Sequence, residues 1–270
     1  MHQICLIKST TSIQNNNVHY HLPINDTATL YLNDQINHTI NIKFLNKIYC
    51  CECGKLTKKS FMNGYCFRCF QTAPSTSPCV LHPEKCQAHN NIGRDINWEI
   101  QNHLQPHHVY LAYTGNLKVG VTRATQIPTR WIDQGATQAM IIATTPNRYL
   151  AGCIEVALKQ HISDKTAWQT MLKNGNSTLT TFKQSALDTL THFPQQYSQF
   201  QVNNHIISTL AYPIKAAPTK VSSQNLDKTP LISGRLIGIK GQYLLFEDNK
   251  VFNLRRHTGY QVQLTINNDT

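Results

Sequence analysis

Residues 107–123 read HHVYLAYTGNLKVGVTR, and this stretch sets the fold class. Val109–Ala112 and Lys118–Val121 are short apolar segments on either side of the turn-type triplet Thr114-Gly115-Asn116. Two such runs across a glycine-bearing turn predict an antiparallel hairpin. Working outward, Pro128–Gln134 has helical character and Ala139–Ala143 reads as an apolar strand. Leu150, Ile154, Ala157, Leu158 and Ile162 then recur at helical spacing, which predicts a helix over 147–162. A further helix is expected over Leu179–His192. A small antiparallel sheet with flanking helices makes the expected class α+β.

Both ends of the chain are richer in strands. Val18–Leu22, Thr27–Leu32 and Thr39–Tyr49 are separated by Asn25-Asp26 and Asn33-Asp34, as in an antiparallel meander. Pro213, Pro218 and Pro230 mark 213–231 as a linker or long loop. Strands return at Ser233–Ile239, Tyr243–Glu247, Val251–Leu254 and Tyr260–Thr265, with Asp248-Asn249 as a hairpin turn. Four parts follow: β-rich 1–49, cysteine-rich 50–105, the α/β centre 106–200 and β-rich 201–270. The two β-rich ends read as separate modules or, the reading favoured here, as halves of one small barrel.

The 270 residues are 40% hydrophobic with a mean hydropathy of −0.36, which suits a folded, water-exposed chain. No run approaches the ~18 apolar residues of a spanning helix, and MHQICLIKST lacks the form of a secretory leader. A cytoplasmic protein with no membrane partner is expected. Lys and Arg outnumber Asp and Glu by 25 to 14, a net charge of +11 that favours a polyanionic partner, nucleic acid above all. The excess is diffuse, so folding must assemble any binding surface. Walker, Rossmann, HExxH and GxSxG motifs are absent, which argues against the common NTPase, dehydrogenase, zincin and hydrolase classes.

Seven of the nine cysteines fall within residues 50–86. Outside an oxidising compartment such crowding points to metal rather than to disulfides. Cys50-x2-Cys53-Gly54 and Cys66-x2-Cys69 form two CxxC pairs, each able to turn two thiolates toward one ion. A structural zinc is expected there, with Cys51 an alternative to Cys50. Cys79 and Cys86 with His89 form a second candidate zinc set; His82 and His103 are further candidates. Closed four-ligand sites hold structure and do not catalyse.

The central order of Tyr110, Lys118-Val119-Gly120, Arg130 and Glu155 resembles the GIY-YIG nuclease superfamily over roughly residues 106–175. That resemblance implies a three-stranded antiparallel sheet flanked by helices and a phosphodiesterase site. Tyr110 would help to deprotonate water, Arg130 would hold the phosphate, and Glu155 would bind Mg or Mn. Lys118 stands where the second motif has tyrosine. Over nearly the full length, the cysteine pairs with LKVGVTR, IPTRWIDQGA, DKTAW and GIKGQYLLF resemble a bacterial domain-of-unknown-function family that joins zinc knuckles to such a core.

Arg123 and Arg130 flank a threonine-rich loop beside Lys118 and Tyr110, and Gln134 and Trp131 help to shape that pocket. Asp164-Lys165-Thr166 reads as a capping turn or as part of the site. Lys240-Gly241-Gln242-Tyr243 and Arg255-Arg256-His257 interleave basic and aromatic residues, as nucleic-acid-binding strands do. The leading expectation is a zinc protein that binds RNA or DNA through Tyr110, Lys118, Arg123, Arg130, Gln134 and Glu155. The alternatives are a Mg- or Mn-dependent nuclease using Tyr110, Lys118, Arg130 and Glu155, and a zinc-stabilised scaffold for a protein partner.

Overall fold

Alternating Ile40 and Ile42 begin the longest strand of the protein, which a computed structural model places at Thr39–Tyr49. The structure describes residues 2–162, 167–173 and 177–267. In chain order it has β1 (His2–Cys5), β2 (Thr10–Gln14), β3 (Asn17–Pro23), β4 (Thr29–Tyr31), β5 (Thr39–Tyr49) and β6 (Leu56–Thr57). Then come α1 (Phe67–Thr72), α2 (Ile96–His103), β7 (His107–Tyr113), β8 (Leu117–Arg123), α3 (Thr129–Asp133), β9 (Gln138–Thr145) and α4 (Arg148–Leu158). After α5 (Trp168–Lys173), α6 (Leu179–Leu190) and β10 (Ile207–Thr209), the chain ends in β11 (Ser222–Gln224), β12 (Leu231–Lys240), β13 (Tyr243–Phe246), β14 (Lys250–Asn253) and β15 (Tyr260–Asn267). The protein is α+β. No helix among the described residues is long and apolar enough to cross a membrane.

The chain divides into two compact units, one of residues 1–71 with 211–270 and the other of residues 72–210. The boundary therefore cuts the cysteine-rich segment in two. In the first unit, strands from both ends of the chain share one sheet of order β1-β15-β5-β12-β13-β14-β11, with β6 paired to the end of β5. That order has two ends, β1 and β11. Ile40 and Ile42 of β5, Ile232 and Leu236 of β12, and Val262 and Leu264 of β15 are all buried. The expected meander is interrupted: β4 pairs with β3 in a separate three-stranded sheet and does not reach β5. A 3-10 turn at Asn33–Gln35 and the left-handed Asn37 (φ 77°) redirect the chain between them. Within the expected linker, β11 lies parallel to β14.

The second unit is built on the antiparallel sheet β10-β9-β7-β8, in which β7 pairs with both β8 and β9. Val109, Leu111, Val119 and Val121 share one face of the hairpin and pack with Ala151, Ile154 and Leu158 of α4 and Phe182 and Ala186 of α6. Burying each large apolar side chain contributes about 1.5–3 kcal/mol. Asn147 caps α4, its Oδ1 accepting from the Leu150 N–H at 3.0 Å. Thr178 caps α6 by accepting from the Thr181 N–H at 3.1 Å. Alternation along β7 and β8 leaves Tyr110, Lys118 and Gly120 on the opposite face.

Candidate functional site

The first cysteine centre forms where β5 runs out. Cys50, directly after the strand, is buried, and its carbonyl accepts from the Gly54 N–H at 2.9 Å. Gly54 takes a left-handed φ of 68°, the conformation that closes this turn at least strain. Cys66 and Cys69 come together at the opening turn of α1, where the Phe70 N–H bonds to the Cys66 carbonyl at 2.9 Å. The sulfurs of Cys50, Cys53, Cys66 and Cys69 all lie within 4.8 Å of one another. Cys53 Sγ and Cys66 Sγ are 3.9 Å apart, close to the roughly 3.8 Å edge of a tetrahedron with zinc–sulfur bonds of about 2.3 Å.

Backbone donors support this centre, with the Cys66 N–H 3.2 Å from Cys50 Sγ and the Cys69 N–H 3.5 Å from Cys66 Sγ. Burial opposes ionisation of Cys50, but N–H groups of Cys66, Cys53 and Glu52 outweigh it and hold the thiol at about 6. The set is compatible with a structural zinc. Cys51 stands outside it, its N–H bonded to the Gly64 carbonyl at 2.9 Å.

A second group gathers Cys79, Cys86, Glu99 and His103, again with ligand atoms within 4.8 Å of one another. All four are buried. Two 3-10 turns, each opened by a proline, carry the cysteines: Pro78–Val80 and Pro83–Lys85 followed by Cys86. Asp95 caps α2 by accepting from the Trp98 N–H at 3.0 Å, and the i, i+4 spacing puts Glu99 and His103 on one face of that helix. His103 Nδ1 lies 3.6 Å from Cys86 Sγ and 3.9 Å from Cys79 Sγ, and it pairs with the Glu99 carboxylate. Ser77 Oγ sits 3.2 Å from Cys79 Sγ, and Trp98 meets the His103 ring edge-on at 5.1 Å. Two sulfurs, one imidazole and one carboxylate form a donor set of zinc type.

Neither nearer histidine joins this group. His89 sits in the 3-10 turn Ala88–Asn90 with its ring stacked on Tyr149 at 4.6 Å, and exposed His82 faces Glu84 at 3.4 Å. The places are taken by His103, one of the further candidates, and by Glu99, which no motif in the sequence marks.

The second centre is fixed to α4. Arg148 Nε donates to the Cys79 carbonyl at 2.9 Å, and its Nη2 donates to the Val80 carbonyl at 2.7 Å. Gly152 allows the turn at Pro83-Glu84 to lie against the helix: a Cβ there would sit 2.2 Å from the Glu84 nitrogen. Burial pulls the Arg148 pKa down, while the charges of Cys79, Cys86 and Glu155 pull it back up. Its guanidinium thus offsets negative charge on the ligand side and on Glu155.

Across the hairpin, Tyr110 pairs with Gly120, and any Cβ at 120 would come within 2.6 Å of the tyrosine hydroxyl. That hydroxyl donates to Gln134 Oε1 at 2.8 Å, and its ring meets Trp131 edge-on at 6.2 Å. Arg130 also hydrogen-bonds the hydroxyl, and the charge of Glu155 is felt there. Burial pushes the Tyr110 pKa up. Burial likewise raises that of Glu155, against the attraction of Lys159 at 3.4 Å and of Arg148. Tyr110, Arg130 and Gln134 therefore form one group with Glu155 beside it. Lys118 shares the Tyr110 face of β8, whereas Arg123 Nη1 bonds to Asn102 of α2.

Asp164-Lys165-Thr166 lies outside the described residues. At the C-terminal end, Lys240 is buried over the Tyr212 ring and His257 is buried against Phe252, leaving Arg255 and Arg256 exposed.

Fold and site together define an α+β protein with two four-ligand clusters of metal-binding side chains. Residues 37–262 match the family described as a protein of unknown function, DUF2797, and the chain belongs to it. The match agrees with the expected domain-of-unknown-function family and carries no statement of a zinc knuckle or a GIY-YIG core. No curated protein and no solved structure is significantly similar to the chain.

Proposed function

We propose that both four-ligand centres hold zinc, and that the protein binds RNA or DNA with the Tyr110–Arg130 group contacting backbone phosphate. The observation that carries the phosphate contact is Arg130. Its guanidinium bonds to the Tyr110 hydroxyl, yet its Nε is a buried donor with no partner. An unsatisfied buried donor costs about 1–3 kcal/mol, and a phosphate oxygen is the acceptor that a guanidinium fork suits best. Arg148 and Lys159 add positive charge around Glu155, and the chain as a whole is +11.

The zinc of the two centres would be structural. Closed sets of sulfur, imidazole and carboxylate donors anchor loops that carry too little apolar surface to order themselves.

Holding phosphate is better supported than cutting. A general base must ionise near neutral pH, but burial disfavours the phenolate of Tyr110, and its proton is engaged by Gln134. Glu155 faces Lys159 and Arg148, with Glu84 as an acidic neighbour, and this cation-rich setting does not fit a Mg or Mn site, which is built from several oxygens. The GIY-YIG likeness is thus taken for the scaffold and its phosphate contact, without the cleavage step.

The test is a salt series with labelled single-stranded and duplex RNA and DNA, with and without Mg or Mn. Binding should fall steeply as salt rises, Arg130→Ala should weaken it about tenfold, and Glu155→Gln should not. No probe should be cut. Salt-independent association would favour a protein partner instead, and metal-dependent cutting that Glu155→Gln abolishes would make the protein a nuclease.

A further inference from the structure

We infer that the outer surface of the first cysteine centre is a contact site for single-stranded nucleic acid, where Phe67 and Phe70 stack on bases while nearby lysines follow the phosphates. This rests on the nucleic-acid reading above and adds a site for the bases that the Tyr110 group does not provide.

The first ground is aromatic exposure. Of the six residues of α1, Cys69 turns to the sulfur cluster, while Phe67 is 55% exposed and Phe70 36% exposed. Phe61 backs both rings, with centroids 5.4 Å from Phe67 and 5.8 Å from Phe70, so they are held in place rather than loose. A lone exposed apolar residue needs no explanation, but a braced pair on a six-residue helix is apolar surface kept available.

The second ground is charge. Between residues 43 and 70 the chain carries Lys43, Lys47, Lys55, Lys58, Lys59 and Arg68 against Glu52 alone, and all six cations are exposed. This short stretch supplies +5 of the +11. A groove in the same unit is lined by Phe44, Leu56, Lys47 and Lys58, with Asp227 as its one acidic residue, and Leu56 is 62% exposed.

The partner chemistry that matches flat apolar faces on a segment this rich in exposed cations is a polyanion with unpaired rings. A duplex hides its base faces within its own stack, whereas a single strand offers them. The basic-aromatic segment at the C-terminus lacks this arrangement, because Lys240 and His257 are buried.

The experiment measures fluorescence anisotropy of the full chain, loaded with zinc, on labelled oligo(U) and oligo(dT) and on a duplex of equal length. The wild type should prefer single strands. Phe67→Ala with Phe70→Ala should weaken single-strand binding about tenfold or more, with zinc content and circular dichroism unchanged. Phe67→Trp, which keeps a ring, should retain affinity and add a fluorescence component quenched by the oligonucleotide. Retained single-strand affinity in the double variant, together with loss in Arg130→Ala, would overturn this inference and leave the phosphate reading standing. Equal binding of duplex and single strand, or equal competition by heparin, would mark a purely electrostatic surface and also overturn it. Failure of the wild type to bind any probe at low salt would remove both.

Discussion

The two ligand clusters solve the same problem in opposite ways. The first closes within residues 50–69, in one loop between a strand end and a short helix, with Cys50 buried and Cys53 exposed. The second draws on two proline-led turns and on α2, is buried at all four positions, and is tied by Arg148 and Gly152 to the central helix α4. A local cluster organises a loop. A tertiary cluster organises a unit. The difference predicts that losing metal should be a local event in one and a global event in the other.

The sharpest way to break this comparison is to remove one sulfur from each centre. Cys86→Ser leaves a buried, half-made site next to α4, and structural zinc supplies on the order of 10 kcal/mol. Cooperative unfolding of the second unit should disappear or drop by tens of degrees, with zinc content lower by one ion per chain. Cys66→Ser should lose one ion as well, yet unfold only the loop around residues 50–71 and leave the other unit's transition in place. Calorimetry with metal analysis checks both, and equal damage from the two variants would erase the distinction.

A smaller effect is expected at Gly152. In Gly152→Ala the new Cβ would meet the Glu84 backbone, an overpacking cost of about 1–3 kcal/mol. Thermal unfolding should shift down by several degrees, at roughly 2–4 °C per kcal/mol. A chelator should strip the second centre faster and the first at its former rate. If both rates stay unchanged, α4 does not support the second centre.

The smallest effect sharpens the first centre. Cys51→Ser should keep the zinc content and change stability by no more than about 0.5 kcal/mol, because Cys51 lies outside the sulfur group. Loss of an ion would transfer the ligand role from Cys50 to Cys51.

The same contrast explains what could be read in advance. The first centre was legible because its four ligands come as two CxxC pairs with a glycine after the first. The second was less legible: Cys79 and Cys86 stood out and His103 was a further candidate, but Glu99 was not read, because it lies with His103 on α2, a helix that pattern reading misses. Its inward face buries a glutamate and a histidine, so no apolar periodicity marks it. The Asp95 cap and the Glu99-x3-His103 spacing were the available signals.

Strands β5, β12 and β15 and helices α4 and α6 announced themselves through long alternation or helical spacing. β1, β2 and β10 did not, being short and dependent on partners distant in sequence. At the Tyr110 site, Gly120 and Gln134 had visible roles once the tyrosine was placed across the hairpin. That Arg123 would turn to Asn102 depends on the position of α2, which no local pattern fixes.

The pairing of β5 has a consequence for the order in which the protein is made. Its neighbours β12 and β15 lie far along the chain; the Ser233–Asn41 hydrogen bond alone spans 192 residues. During synthesis β5, held only at Ile48 and Tyr49 by the two-residue β6, must wait with most of both edges unpaired while residues 72–210 emerge and can already close around their own ligands. Unpaired strand edges are templates for pairing with other chains. A ribosome stalled before β12 would therefore hold one half-built sheet and one finished unit, so interrupted translation should yield aggregates seeded by the oldest part of the chain.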